Sequence, residues 1–204
     1  MPEHSGTHID ALAHQAENLM LHGGIHVDTG VQTSVGFRVH GIETMGPLLG
    51  RGVLLDVAGE QRLPPDHVIA PEELERAASA AGVEIRAGDV VLVRTGYGAL
   101  WTDPAEYLRA AGVSAAGSRW LIDRRVRAVG ADNMAWDIIG PPDPELGVTL
   151  PGHLLLLVRA GIPIIENLNL EELAAAAIHE FAFVCLPLKM RGVTGSPVRP
   201  IALA

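Results

Sequence analysis

Short uninterrupted apolar runs alternate along this chain with stretches whose apolar positions recur at helical spacing. Residues 52–57 (GVLLDV) and 89–94 (DVVLVR) read as strands buried on both faces, since neither alternates polar with apolar. Residues 126–131, 162–165 running into Glu166, and 181–186 repeat that pattern. Between them, 71–81 predicts a helix, with Pro71 in its first turn, Glu72 and Glu73 near its positive end, and Gly82 just past it. Further helices are expected over 104–111, 114–124 and 170–177, and an apolar one over 154–159 closed near Gly161. Asp132, Asn133 and Asp137 fall in a loop, and the Gly- and Pro-rich tail 192–200 reads as another. Alternating strands and helices predict an α/β architecture with a sheet that is at least partly parallel, or mixed. Without repeats, low-complexity tracts or a linker, residues 1–204 read as one domain, a length that one core can serve.

Composition narrows this picture. Aromatic residues make up only 4%, so the core must be built from Ala, Val, Leu and Ile. A net charge of −9 argues against nucleic acid, because a phosphate-binding surface needs a basic excess. Cys185 is the sole cysteine and sits in the apolar run FAFVCLPL, where it reads as a small buried hydrophobe. The opening MPEHSG has neither the basic nor the apolar part of a signal peptide, and no apolar run reaches the length of a membrane span. The expectation is a soluble cytoplasmic protein with a small-molecule substrate and no nucleic-acid or membrane partner.

The candidate chemistry is concentrated at the start of the chain. His4, His8, Asp10 and His14 fall within eleven residues, and His and Asp offer nitrogen and oxygen donors that suit zinc, manganese or iron. His8 and Asp10 are two apart, so an extended backbone puts both on one face. His4 can reach the same point across a turn at Gly6, and His14 lies a little farther along. The bland alternative is chance, since nine histidines in 204 residues is a high count. Far away in sequence, His153 precedes the apolar helix and Glu166 ends the strand PIIE, a usual place for a site carboxylate in α/β folds. Taken alone, Glu166 reads rather as a cap of the helix at 170–177 or the partner of a surface arginine.

Other features carry less. Thr95–Gly98 (TGYG) follows a strand but lacks the spacing of a nucleotide loop, and no GxSxG elbow surrounds Ser196. His22, His26, His40, His67 and His179 have no motif partners and read as surface or structural. Trp136 and Asp137 could line a pocket or simply pack.

At these residues the chain resembles a known family. HSGTHIDALAH is similar to the HxGTHxDxxxH signature of the cyclase family, which includes bacterial kynurenine formamidases and isatin hydrolases. The likeness continues through RGVLLDVAG, IRAGDVVLVRTGYG, VGADNMAWD, PGHLLLLVRAGIPIIENLNLEEL and GVTGSPVRPIA, nearly the whole chain. The resemblance implies an α/β fold of the swivelling β/β/α type, a mixed sheet with flanking helices, in a homodimer or homotetramer. It implies His4, His8 and Asp10 as ligands of one divalent ion, zinc or manganese. Asp10 and Glu166 would bridge to a second ion, where one is present, with His153 completing that position, and His14 would be the general acid/base. The implied activity is arylformamidase-like: metal-activated water hydrolyses an amide bond in a small aromatic substrate, turning N-formylkynurenine into kynurenine and formate. IIENLNL and TGSPVRPIA are more similar to the isatin hydrolases, which makes a cyclic amide or lactone the alternative substrate. A non-catalytic metal-binding scaffold, and more weakly a serine hydrolase using Ser196, complete the rival readings. In formamidases a segment ahead of the motif supplies an aromatic to the substrate; with the motif starting at His4, that segment is expected to be missing here.

Overall fold

The computed structural model describes residues 2–204. Among them, eight strands form one mixed sheet: β1 (His8–Asp10), β2 (Leu48–Asp56), β3 (Val90–Arg94), β4 (Ala128–Ala131), β5 (Ile164–Glu166), β6 (Glu180–Cys185), β7 (Gly195–Pro197) and β8 (Ile201–Leu203). Their order is β7-β1-β5-β4-β3-β2-β6-β8. The central four, β5-β4-β3-β2, run parallel, and each flank is antiparallel. The α/β expectation, with a mixed sheet and flanking helices, therefore holds.

Parity along the strands explains why the central runs are continuously apolar. Val53, Leu55, Val91, Val93, Val129 and Ile164 face a core shared with α1 (Pro71–Ala81), α2 (Ala115–Asp123) and the apolar helix after His153. Leu54, Val90, Leu92, Ala128 and Ile165 face a second core with Ile9, Ile42, Phe181 and Phe183. Both faces are thus covered, which removes any polar alternation. Gly52 is needed in β2 because a Cβ there would run into the Phe181 ring.

The helices start and stop for local reasons. Helix α1 begins at Pro71, its Glu73 carboxylate accepts the Ala70 amide at 2.9 Å, and Gly82 ends it in the left-handed region at φ 65°. The Ser114 hydroxyl caps α2 by accepting the Gly117 amide. Helix α3 starts at Pro151–His153 and continues as a wider π-helix over Leu154–Ala160, closed by Gly161 at φ 70°. A short α4 covers Glu171–Ala175.

Two segments differ from the sequence pattern. Helix 104–111 stops at Tyr107, because 112–113 is pulled into a parallel pairing with Val68–Ile69. The tail is not a loop throughout: Gly195–Pro197 pairs with β1, and Ile201–Leu203 pairs with β6. Pro197 is tolerated because β7 lies at the edge of the sheet, where its missing N–H breaks no ladder. Strands this short carry too few residues to show a period. Among the described residues no helix is long and apolar enough to cross a membrane.

Candidate metal centre

The centre forms where β1 crosses the end of β5. His8 stands opposite Glu166 in this antiparallel pair, and Ile9 stands opposite Ile165. Because Ile9 and Ile165 turn into the second core, His8, Asp10 and Glu166 emerge together on the other, helix-covered face. The His8 Nδ1–H donates to the Gly6 carbonyl at 2.9 Å, a contact that only a protonated Nδ1 can make. That leaves Nε2 facing Glu166 Oε2 at 3.4 Å and Asp10 Oδ1 at 3.6 Å. Gly6, at φ 63°, turns the chain so that His4 returns to the same point. His4 Nδ1 lies 2.9 Å from Asp10 Oδ1, while its Nε2 contacts the Thr194 hydroxyl at 2.9 Å. Gly195 makes room for this ring, since a Cβ there would sit 2.6 Å from His4 Cε1.

Helix α3 closes the other side. His153, in its first turn, points Nε2 at Glu166 Oε1 (3.3 Å) and Asp10 Oδ2 (3.6 Å). Its Nδ1–H donates to Asp137 Oδ2 at 2.8 Å. The half-buried His14 ring sits 4.3 Å from that of His4 and 5.7 Å from that of His153, centroid to centroid. Two triads, His4/His8/Asp10 and Asp10/His14/His153, have ligand atoms within 4.8 Å of one another. They share Asp10, one carboxylate oxygen toward each side.

Burial and charge at these groups fit a cation held among them. Asp10 is 0% exposed, and although imidazoles stand beside it, neither of its carboxylate oxygens receives a well-directed hydrogen bond among the described residues; nor does Glu166 Oε1. A buried carboxylate costs several kcal/mol unless positive charge beside it compensates it. Burial alone would raise the Asp10 carboxyl, but His153 and His4 beside it hold it below the usual carboxylate range. Burial likewise opposes a charge on His153, yet Asp10, Asp137 and Glu166 outweigh it and push the imidazole well above its ordinary value. His14 goes the other way. Burial lowers it, and the attraction of Asp10 is partly offset by His4 and His153. Imidazole nitrogens and buried carboxylate oxygens crowded around one point fit a divalent ion such as zinc or manganese.

All six sequence candidates, His4, His8, Asp10, His14, His153 and Glu166, therefore meet in one place. Glu166 does not cap α4; its carboxylate is turned into the cluster. The other histidines are elsewhere: His22 bonds the Val158 carbonyl, His67 bonds Glu73, His179 bonds the Leu54 carbonyl, and His26 is exposed. The TGYG turn is held by buried Asp132, which accepts from the Thr95 amide and hydroxyl and the Gly96 amide. Ser196 stands opposite Ile9, hence on the wrong face, and its hydroxyl is used up between the Leu188 amide and the Pro197 carbonyl. Ser196→Ala is accordingly expected to leave turnover unchanged and cost about 1 kcal/mol in a denaturant titration; a collapse of activity with folding intact would revive the serine reading. No sequence signal marks the roles of Asp137 and Thr194, since neither stands in register with the histidine it contacts.

The Cyclase family model matches residues 1–138. This chain belongs to the Cyclase family. Its relatives include cyclase-like protein 3 of Oryza sativa subsp. japonica, 28% identical over 213 residues, a match that takes in all of this chain and 63% of that protein. Isatin hydrolase of Roseibium aggregatum is 27% identical over 212 residues, covering 98% of this cyclase chain and 72% of the relative. A solved structure described as a novel cyclase superposes with a TM-score of 0.88 at 31% identity, over all of this chain and 69% of the other. The chain spans 63% of the length of the cyclase-like proteins it matches.

Proposed function

We propose that this cyclase-family chain is a metal-dependent hydrolase of an amide-type C–N bond in a small aromatic substrate. The observation that carries the reading is the set of buried oxygens on Asp10 and Glu166 that receive no well-directed hydrogen bond, ringed by the nitrogens of His4, His8 and His153. These five residues would hold one or two divalent ions. When bound, such an ion supplies Lewis acidity, polarising a carbonyl and acidifying water.

The chain's own groups supply the rest. His14 is close to the cluster yet only half-buried, and burial favours its neutral form, which can accept a proton. In the proposed reaction it takes the proton from water and returns it to the leaving nitrogen. A cavity of about 390 Å³, lined in part by Gly6, Thr7, Trp101 and Asn167, opens beside the ligand-bearing turn. That volume suits a small aromatic molecule, and Trp101 offers it a ring to lie against.

Two substrates compete within this reading. Similarity to isatin hydrolase favours a cyclic amide such as isatin, whereas N-formylkynurenine is the arylformamidase alternative. Assaying both, with manganese or zinc and then with a chelator, separates them. Hydrolysis of isatin that the chelator abolishes is the expected outcome. Activity on N-formylkynurenine alone would reverse the assignment. Bound metal without turnover of either substrate would leave a metal-binding scaffold.

A further inference from the structure

Resting on the metal-dependent reading above, we propose that Asp137 is a positioning residue: its buried carboxylate fixes the ring and tautomer of His153 and makes Nε2 a stronger ligand donor. Asp137 makes three hydrogen bonds at the start of α3, two of them to His153. Oδ1 accepts the Gly152 amide at 2.5 Å, and Oδ2 accepts both the His153 amide at 3.0 Å and the His153 Nδ1–H at 2.8 Å. The two amides belong to the first turn of α3, whose own preceding residue, Leu150, supplies no side-chain cap. A cap would need only those amides; the third bond goes to the side chain that faces the metal cluster.

The loop carrying Asp137 is built to hold this position. Asn133 accepts the Trp136 amide and donates to the carbonyls of Ala111 and Trp136. Trp136 sits in the left-handed region at φ 52° and anchors its indole N–H on Ser118. Gly152 completes the fit, because a Cβ there would lie 2.6 Å from Trp136 Cδ1 and 2.7 Å from Asp137 Oδ1. The other two histidines differ in kind. His8 is braced by the Gly6 carbonyl and His4 by the Thr194 hydroxyl, both neutral partners. Of the three, only His153 has a carboxylate on the nitrogen turned away from Asp10 and Glu166, which raises the basicity of the opposite nitrogen.

The test is metal affinity, measured by stripping the protein and titrating zinc or manganese into wild type and Asp137→Asn. The variant is expected to bind roughly 10–100-fold more weakly while remaining folded. Equal affinity in the two proteins would overturn the proposal. Should Asp137→Asn fail to fold, proton NMR of the metal-loaded wild type decides instead. A far-downfield Nδ1–H resonance, assigned by its loss in His153→Gln, is expected, and its absence sinks the idea. Wild type that takes up no divalent ion would overturn the proposed function itself; normal uptake by both proteins removes only the Asp137 assignment.

Discussion

Saturating the centre with a divalent ion is expected to raise the melting temperature by roughly 5–10 °C, and Asp10→Asn should abolish that shift. An ion present at 100 times its dissociation constant stabilises the folded state by about 2.7 kcal/mol. For a chain of this size each kcal/mol moves the midpoint by about 2–4 °C. Asp10 is the residue on which this depends, since it is wholly buried and its two oxygens face opposite sides of the cluster. An asparagine there keeps the shape but removes the charge and turns an N–H₂ toward imidazoles. Without metal, the same substitution removes the carboxylate that His153 and His4 hold below its usual range, so at neutral pH the stripped variant should melt no higher than the stripped wild type. Calorimetry of both proteins with and without chelator checks each half of this statement. An Asp10→Asn variant that still gained several degrees on metal addition would show that the ion binds elsewhere.

His14→Ala is expected to lower turnover ~10²–10⁴-fold while leaving metal content unchanged, the effect of removing a general acid/base. The geometry makes this a sharp question. The ligand atoms of His14 lie within 4.8 Å of those of Asp10 and His153, close enough for His14 to serve as a ligand alongside them. Metal analysis beside the activity assay separates the two roles. Loss of turnover with full metal occupancy supports proton transfer. Loss of turnover together with one ion would make His14 a ligand, and near-normal turnover would remove it from the chemistry.

Much of the fold was legible because its central strands are buried on both faces, which leaves the unbroken apolar runs of β2, β3, β4 and β5 in the sequence. Helix α1 was equally plain, since proline, acids and glycine mark its ends. The short edge strands β7 and β8 were not, because three residues cannot display a period. The early stop of the helix after Pro104 was likewise invisible, being imposed by pairing with a segment more than forty residues earlier. Among functional groups, Asp137 stood out only as an acid after a strand; its bond to His153 spans a loop and a helix start.

What the sequence determined by itself is the grouping of His4, His8, Asp10 and His14, because strand parity and one glycine turn are local and bring neighbouring side chains to one face. The convergence of Glu166 and His153 on that group was decided only by tertiary structure. It requires β1 to run antiparallel to β5 with His8 opposite Glu166, and α3 to pack with its first turn against the same strand ends. A one-residue slip of that register would turn Glu166 into the second core, and no local preference in either segment forbids it. The opposing apolar partners, Ile9 and Ile165, fix the register by burying themselves, and that burial turns the three ligand-bearing side chains toward one another.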